Sequence, residues 1–433
     1  MKILILSQYW GPENGVPQRR WAWLTQLLIK AGHEVTVVAP PPHYQREISW
    51  RRFWSDVVAH KKNSPVYGEA GEKVIRSRYI PSGTSITRKT LNQATVALGQ
   101  LWALRNKKRL GHPDLIIGTV PAIPTAAVTY LASKYLRIPY VIDLRDAWPE
   151  LLDSSARWNR STGSPSAAQK ALSVGPLQLI IVATRWMLNT VLDRAEAIIT
   201  TSSRLAEALE DKKEQTRRRT PQAVGVIRNV FPPLVSDSCA ATTPNDAGPE
   251  TLNVLYAGTI GRAQNLENAL LAAKHAVTLG TTVKLRFVGA GAAQTQLKRK
   301  AAELEVDADF FERHEAEDLG EFYSWADTAV VHLTDWPALL QAVPSKTYEL
   351  MDLGIHISCV ASGETAEIVT SLDAGHIAEP ENPVALAEIW AKLDHNRSLL
   401  AVPDKGKLWV ETERYEKAPQ VLSDIVKQAT RRS

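Results

Sequence analysis

Leu252-Asn253-Val254-Leu255-Tyr256-Ala257-Gly258-Thr259-Ile260-Gly261-Arg262 is an apolar strand candidate that runs straight into two glycines and an arginine, and a stretch of helix length follows it. This unit decides the fold because it recurs. Downstream, Val283 to Val288, Asp309 to Phe311, Thr328 to Leu333 and Ile355 to Val360 read as strands, each followed by a helical segment. Upstream, the same reading applies to Lys2 to Leu6, Glu34 to Val38, Lys73 to Ile75, Asp114 to Ile117, Tyr140 to Ile142, Ala197 to Thr200 and Val224 to Ile227. Short β-branched runs alternating with amphipathic helices predict parallel sheets covered by helices. Between the two series, Phe231 to Glu250 is rich in Pro, Ser, Thr and Asn without periodicity, which reads as a linker. The expected fold class is therefore α/β, with two doubly wound domains facing a cleft. The first spans 1–235 and the second 250–406, with a helical tail, 407–433, crossing back to the first.

A chain of 433 residues exceeds what one hydrophobic core serves, in agreement with two domains. Its 44% hydrophobic and 22% charged content belongs to an ordered protein, and no apolar run reaches the roughly 18 residues that a membrane span needs. Lys2 to Ser7 is too short for a signal-peptide core. Two cysteines, Cys239 and Cys359, give no disulfide framework or structural zinc site. Cytoplasmic residence is the expectation. The net charge is +5, but the cations cluster: Arg51-Arg52 lie beside Trp50, Phe53 and Trp54, and Arg105 to Arg109 follow the apolar Val96 to Leu104. These clusters fit either a solvated basic face or peripheral contact with the inner face of the plasma membrane. No helix-turn-helix, zinc-finger or RNP-like pattern accompanies them, so nucleic acid is not an expected partner. The insertions Tyr44 to Glu72 and Asp153 to Ser173 read as surface loops or lids.

Val343-Pro344-Ser345-Lys346-Thr347-Tyr348-Glu349 has the form of a helix start facing an anion, with Pro344 at the first helical position. Glu349, one turn deeper on the side of Ser345, suits neutral hydroxyls such as a ribose diol better than phosphate. The combination suggests a nucleotide, and an ordinary capped helix with an exposed Lys and Glu remains the alternative. Arg262, at the end of its strand, is placed to clamp a diphosphate together with Lys346. Gly289-Ala290-Gly291 reads as a tight turn rather than a phosphate site, because Gln294 stands where a dinucleotide fingerprint has its third glycine. After the first strand, Gly11 to Pro17 forms a loop in which Gly15 admits close approach of backbone to a substrate. Asp143-Leu144-Arg145-Asp146-Ala147-Trp148-Pro149-Glu150 gathers four ionisable groups at a strand's carboxyl end, which fits a polar ligand or an internal Asp143–Arg145 or Arg145–Glu150 pair. Asp146 is the catalytic candidate among them. His43, His112, His332 and His356 lack metal-ligand spacing, so no metal site is expected.

These stretches together resemble the retaining glycosyltransferases of the GT-B fold, family 4, in the bacterial surface-polysaccharide type. The resemblance rests on Tyr9 to Glu13 through Arg20, Gly32 to Val37, Asp143 to Glu150, Tyr256 to Leu266, Phe287 to Gly291, Phe322 to Asp327, Pro344 to Glu349 and Gly363 to Ile368. It implies two Rossmann-like domains, with a donor nucleotide sugar on the C-terminal one and the acceptor on the N-terminal one. By position, Arg262, Lys346 and the Ser345–Thr347 helix start would hold the diphosphate, Gly261 and Gly15 would approach it, Glu349 would hold the ribose, and the Arg313-His314 loop the base. It further implies a UDP carrier, no cofactor or metal, and a glycan or lipid-linked acceptor. Three places depart from the family: Gln341 replaces a Glu, Gln264 and Asn265 stand near a usual Lys, and Ile355-His356 replaces a Pro. A sugar-nucleotide epimerase of the same fold and a non-catalytic two-domain sugar-binding protein are the alternative readings.

Overall fold

Apolar runs without polar alternation belong in strands buried on both faces. In the computed structural model Leu115–Val120, Tyr140–Leu144, Thr328–His332 and Ile357–Val360 are such strands, with every residue buried. The structure describes residues 1–13, 15–42, 66–80, 86–120, 122–152, 176–216, 223–232, 251–261 and 263–431. The insertions and the linker expected from the sequence fall largely outside these residues, as do the Trp50 to Trp54 cluster, Cys239 and Arg262.

The chain divides into two units, one of Met1–Pro149, Ile180–Phe231 and Glu416–Ser433 and one of Glu150–Leu179 and Pro232–Tyr415. The first holds β1 (Lys2–Leu6), β2 (Glu34–Ala39), β3 (Val66–Tyr67), β4 (Lys73–Arg76), β5 (Leu115–Val120), β6 (Tyr140–Leu144), β7 (Ala197–Thr200) and β8 (Ala223–Val226) in the order β3-β4-β2-β1-β5-β6-β7-β8. All pairs are parallel except β3 with β4. The second holds β9 (Thr251–Ala257), β10 (Thr282–Val288), β11 (Ala308–Phe311), β12 (Thr328–His332), β13 (Ile357–Val360) and β14 (Gly375–Ala378), all parallel, in the order β11-β10-β9-β12-β13-β14. That order is the doubly wound one, with the winding reversing between β9 and β12, and between β1 and β5 in the other sheet. Loops leaving the two strands at a reversal diverge, and ligands of open parallel sheets bind at that point.

The local differences from expectation have local causes. The first helix begins at Val16 rather than near Gln18, because Pro17 is tolerated in a helix's opening turn. Strand β13 begins at Ile357 rather than Ile355, since Gly354 (φ +67°) closes the preceding helix and the Ile355 N–H donates to the Leu350 carbonyl at 3.0 Å. The two-residue β3 and the Gly-initiated β14 carry too little apolar signal to be read from sequence. The tail is two helices: Lys405–Thr412 packs on the Ser345–Asp352 helix of the second unit, and Ala418–Thr430 packs on β7 and β8 of the first. Gly118 in β5 lies so close to a covering helix that a Cβ there would stand 2.1 Å from the Thr129 hydroxyl.

Arg20 and Asp143 form a wholly buried ion pair, with Nη2 to Oδ1 at 2.8 Å and both side chains at 0% exposure. Trp21 Nε1 donates to the other carboxylate oxygen at 2.8 Å, and Arg20 Nη1 donates to the Ile227 carbonyl at 2.8 Å and to Asn229 at 3.2 Å. The first helix, the end of β6 and the segment after β8 are thereby joined through one guanidinium. This corrects the Asp143–Arg145 pairing considered from the sequence, because Asp143 points inward and its partner comes from a helix distant in the chain. Removing one member of a buried pair strands the other charge. Asp143→Asn is expected to cost about 3–5 kcal/mol, read by urea unfolding, and an Arg20→Met/Asp143→Leu double variant less than that.

The second unit buries a polar chain. Trp390 Nε1 donates to Ser358 Oγ at 3.1 Å, Ser358 meets Thr328 Oγ1 at 2.9 Å, Thr328 meets His356 Nδ1 at 2.8 Å, and His356 Nε2 meets His376 Nδ1 at 2.9 Å. Burial, aided by the neighbouring His376, lowers the His356 pKa to about 3, and burial likewise lowers buried His332 to about 3. Both rings are neutral in the fold, whereas the unfolded chain protonates them near pH 6.5. Their contribution is present above that pH and is lost as pH falls toward the folded values. At pH 5 the loss is about 2 kcal/mol for each ring. The melting temperature is expected to drop between pH 7 and pH 5, and His356→Asn to flatten that dependence.

Candidate functional site

At the winding reversal of the second sheet, β9 ends in Gly258-Thr259-Ile260-Gly261. The turn after β10 packs directly on this loop: the Gly258 N–H donates to the Val288 carbonyl at 2.9 Å, Ile260 N–H to Ala290 at 3.1 Å, and Ala293 N–H back to Ile260 at 3.1 Å. A Cβ at Gly289 (φ +148°) would lie 1.9 Å from the Gly258 oxygen, and one at Gly291 would lie 2.1 Å from the Ile260 oxygen. The Gly289-Ala290-Gly291 glycines therefore serve the approach of two loops. Beside Arg262, which is not among the described residues, the Ala263 carbonyl accepts from Thr334 N–H at 2.9 Å and ties the loop to the end of β12.

From β12 the chain passes through a short 3-10 turn, Pro337–Gln341, into the helix Ser345–Asp352. Pro344 is the N-cap, so Ser345, rather than Pro344, is the first helical residue. Gly363 supports this passage, because its backbone (φ +69°) runs so close that a Cβ would meet the Leu340 oxygen at 2.2 Å, and Thr365 Oγ1 donates to the Ala342 carbonyl at 2.7 Å. The opening N–H groups of the helix carry the positive end of its dipole. The Thr347 side chain is 0% exposed, its hydroxyl makes no hydrogen bond, and its N–H donates to the Pro344 carbonyl at 3.0 Å, so it packs under the helix start.

Lys346 and Glu349 meet around a third residue. Lys346 Nζ donates to the Tyr323 hydroxyl at 2.7 Å and to Glu349 Oε2 at 3.0 Å, while Tyr323 donates to Glu349 Oε1 at 2.7 Å. Tyr323 is only 2% exposed, and the lysine and glutamate side chains are 23% and 12% exposed. The buried phenol thus fixes a cation and an anion at the mouth of the helix. Sequence reading placed Tyr323 inside a matching stretch without a role, since nothing in the spacing links it to a carboxylate 26 residues away. Its helix, Gly320–Trp325, also carries Phe322, whose ring lies 5.1 Å from His314 and 5.0 Å from Phe311. The exposed Arg313-His314 loop after β11 and the Lys346–Glu349 pair are therefore brought together by adjacent residues of one short helix.

In the first unit, buried Gly15 is the N-cap of the first helix, with φ −73° and ψ 161°, an extended conformation open to any residue. The loop before it is pinned: Trp10 Nε1 donates to Glu72 at 3.2 Å, Arg76 Nη2 to the Gly11 carbonyl at 2.8 Å, and Gln18 Nε2 to Glu13 at 3.2 Å. Asp146 follows β6 on a turn held by Thr201 Oγ1 donating to the Arg145 carbonyl at 2.9 Å. Its outer surface meets solvent, yet protein packed around it desolvates the carboxyl and raises its pKa; Arg145 opposes the rise and Asp143 adds to it. Gly15 and Asp146 sit at the carboxyl ends of one sheet, whereas Gly261, Arg313, His314, Ser345, Lys346 and Glu349 sit at those of the other. Among the described residues no group of three His, Cys, Asp or Glu side chains could hold a metal ion, and no helix is long and apolar enough to cross a membrane. Burial pushes the Cys359 thiol up to about 12, which leaves it unreactive.

Comparison with known proteins follows the same division. The family profile described as "Glycosyl transferase 4-like domain" matches residues 15–224, and "Glycosyl transferases group 1" matches residues 244–406. A protein of Escherichia coli described as "Putative colanic acid biosynthesis glycosyl transferase WcaI" is 23% identical over 318 residues, covering 70% of this chain and 69% of its own. Among solved structures, sucrose-phosphate synthase from Thermosynechococcus elongatus superimposes with a TM-score of 0.66 at 15% identity, over 100% of both chains. HepE of Anabaena in complex with UDP gives a TM-score of 0.62 at 15% identity, also over 100% of both. Matched in this order over two doubly wound sheets, the chain belongs to the group 1, family 4-like glycosyltransferases of the GT-B fold.

Proposed function

We propose that the protein transfers a sugar from a nucleotide diphosphate sugar, with UDP as carrier, to a glycan or lipid-linked acceptor in cell-envelope polysaccharide synthesis. The anomeric configuration is retained and no metal ion takes part. The observation that carries this reading is the Lys346–Tyr323–Glu349 arrangement at a helix start beside the winding reversal. The colanic acid assignment of WcaI supports the envelope setting, and the UDP held by HepE supports the carrier.

In this reading Lys346 and the helix amides at Ser345 face the diphosphate, together with Arg262, and stabilise the charge that grows on it as the bond to the anomeric carbon breaks. Glu349 accepts hydrogen bonds from the ribose hydroxyls. Its Oε2 accepts from Lys346 and its Oε1 from Tyr323, so a diphosphate that draws the ammonium toward itself loosens the Oε2 contact in favour of the ribose. The Arg313-His314 loop takes the base. The acceptor hydroxyl attacks from the face the diphosphate leaves, forming the new glycosidic bond while its proton passes to the departing phosphate oxygen. Asp146 and Gly15 belong to the acceptor side.

UDP is expected to raise the melting temperature more than GDP or ADP, and an equal response to all three removes UDP as the carrier. Glu349→Ala is expected to weaken UDP binding about tenfold or more, by isothermal titration. Arg262→Ala is expected to slow turnover by a factor on the order of 10², and an unchanged rate takes it out of the mechanism. Tyr323→Phe keeps the ring but removes its hydrogen bonds to Lys346 and Glu349, and a donor KM about fivefold higher with a smaller change in kcat is the expected result. A donor-only incubation that yields an epimerised nucleotide sugar would replace the transferase reading with the epimerase one.

A further inference from the structure

Two helices of the first unit, Ile86–Ala103 and Ile123–Leu136, pack against each other and turn part of their apolar surface outward. Leu98 and Trp102, one turn apart on the first, are 65% and 54% exposed, and Leu131 and Tyr135, one turn apart on the second, are 48% and 51% exposed. Side chains at this spacing share a helix face. Large apolar residues scattered singly need no explanation, whereas two such pairs on neighbouring helices mark a surface that meets something.

The charge around them selects the partner. From Ile86 to Ile138 the sequence has eight Lys or Arg residues and a single acid, Asp114, whose carboxylate already accepts from the Lys2 N–H at 2.7 Å. The cations lie against the exposed rings: the Arg78 guanidinium is 4.6 Å from the Trp102 ring centre, and the Lys107 ammonium is 4.7 Å from that of Tyr135. Lys107 and Lys108 are exposed on the short helix Lys107–Leu110, and Lys134 is exposed between Leu131 and Tyr135. Indole and phenol rings flanked by long cationic side chains suit the boundary between lipid head groups and acyl chains, where the rings enter and the ammonium groups stay among phosphates. A second copy of this chain would bring the same positive charge to the contact. A nucleic acid would meet the cations and leave the leucines in water.

We infer that the face formed by Leu98, Trp102, Leu131 and Tyr135 with Lys107 and Lys108 docks on an anionic phospholipid bilayer. This surface belongs to the first unit, and its docking does not depend on the proposed nucleotide chemistry. The test is co-sedimentation of the full chain with vesicles of phosphatidylcholine alone or with added phosphatidylglycerol, at low and high salt. The protein is expected to pellet with the anionic vesicles only, and less so at high salt. Lys107→Glu/Lys108→Glu should lower that partition ~10-fold or more, since each basic residue near such a surface contributes roughly fivefold. Trp102→Gln should lower it severalfold at both salt concentrations. Both variants should keep the wild-type melting temperature and UDP affinity, so that a failure here is distinct from a failure of the transferase reading. No pelleting of the wild type at low salt overturns the inference, as does equal pelleting of the wild type and both variants. Self-association in sedimentation velocity that Trp102→Gln abolishes, or tighter binding to a DNA fragment than to the vesicles, overturns it as well.

Discussion

Each sheet is covered by helices on both faces, and that constraint arranges everything else. A strand such as Leu115–Val120, with no exposed residue, has no side chain to offer a ligand, and its backbone groups are committed to its neighbours. Chemistry is displaced to the strand ends, and among those to the places where the winding reverses. The Gly258–Gly261 loop and the Ser345–Asp352 helix start lie at such a reversal, and the turn at Asp146 lies at the carboxyl end of β6.

Polar groups that enter the interior are held by partners brought from far along the chain. Arg20 reaches Asp143 across the first sheet and also satisfies the carbonyl of Ile227, so one guanidinium joins three segments. At the mouth of the second sheet, Tyr323 satisfies Lys346 and Glu349 together. The two cases differ in consequence. The first pair is sealed and serves stability, whereas the second is partly open, with the Lys346 side chain 23% exposed.

The proposed recognition of a diphosphate and the inferred docking on a bilayer would draw on the same physics at different dielectric. Near the helix start, water is partly excluded and the dipole adds to a single ammonium. On the Ile86–Ala103 and Ile123–Leu136 face the cations are solvated and individually weak, so number and the apolar residues beside them matter.

The alternation of apolar runs with amphipathic segments was enough to determine two parallel sheets and the positions of twelve strands to within a few residues, and the Pro344-Ser345 chemistry placed a helix start to within one residue. Local chemistry also determined that Gly289 and Gly291 make a turn. Tertiary structure alone decided the rest. It turned Asp143 inward to Arg20, placed Thr347 under its helix, and made Tyr323 the bridge between Lys346 and Glu349. Periodicity reports which face of an element is apolar, and that suffices to predict layers. It carries no information on which polar residues of distant segments will share one buried point, because that pairing is set by the close packing of elements whose order in space differs from their order in the chain.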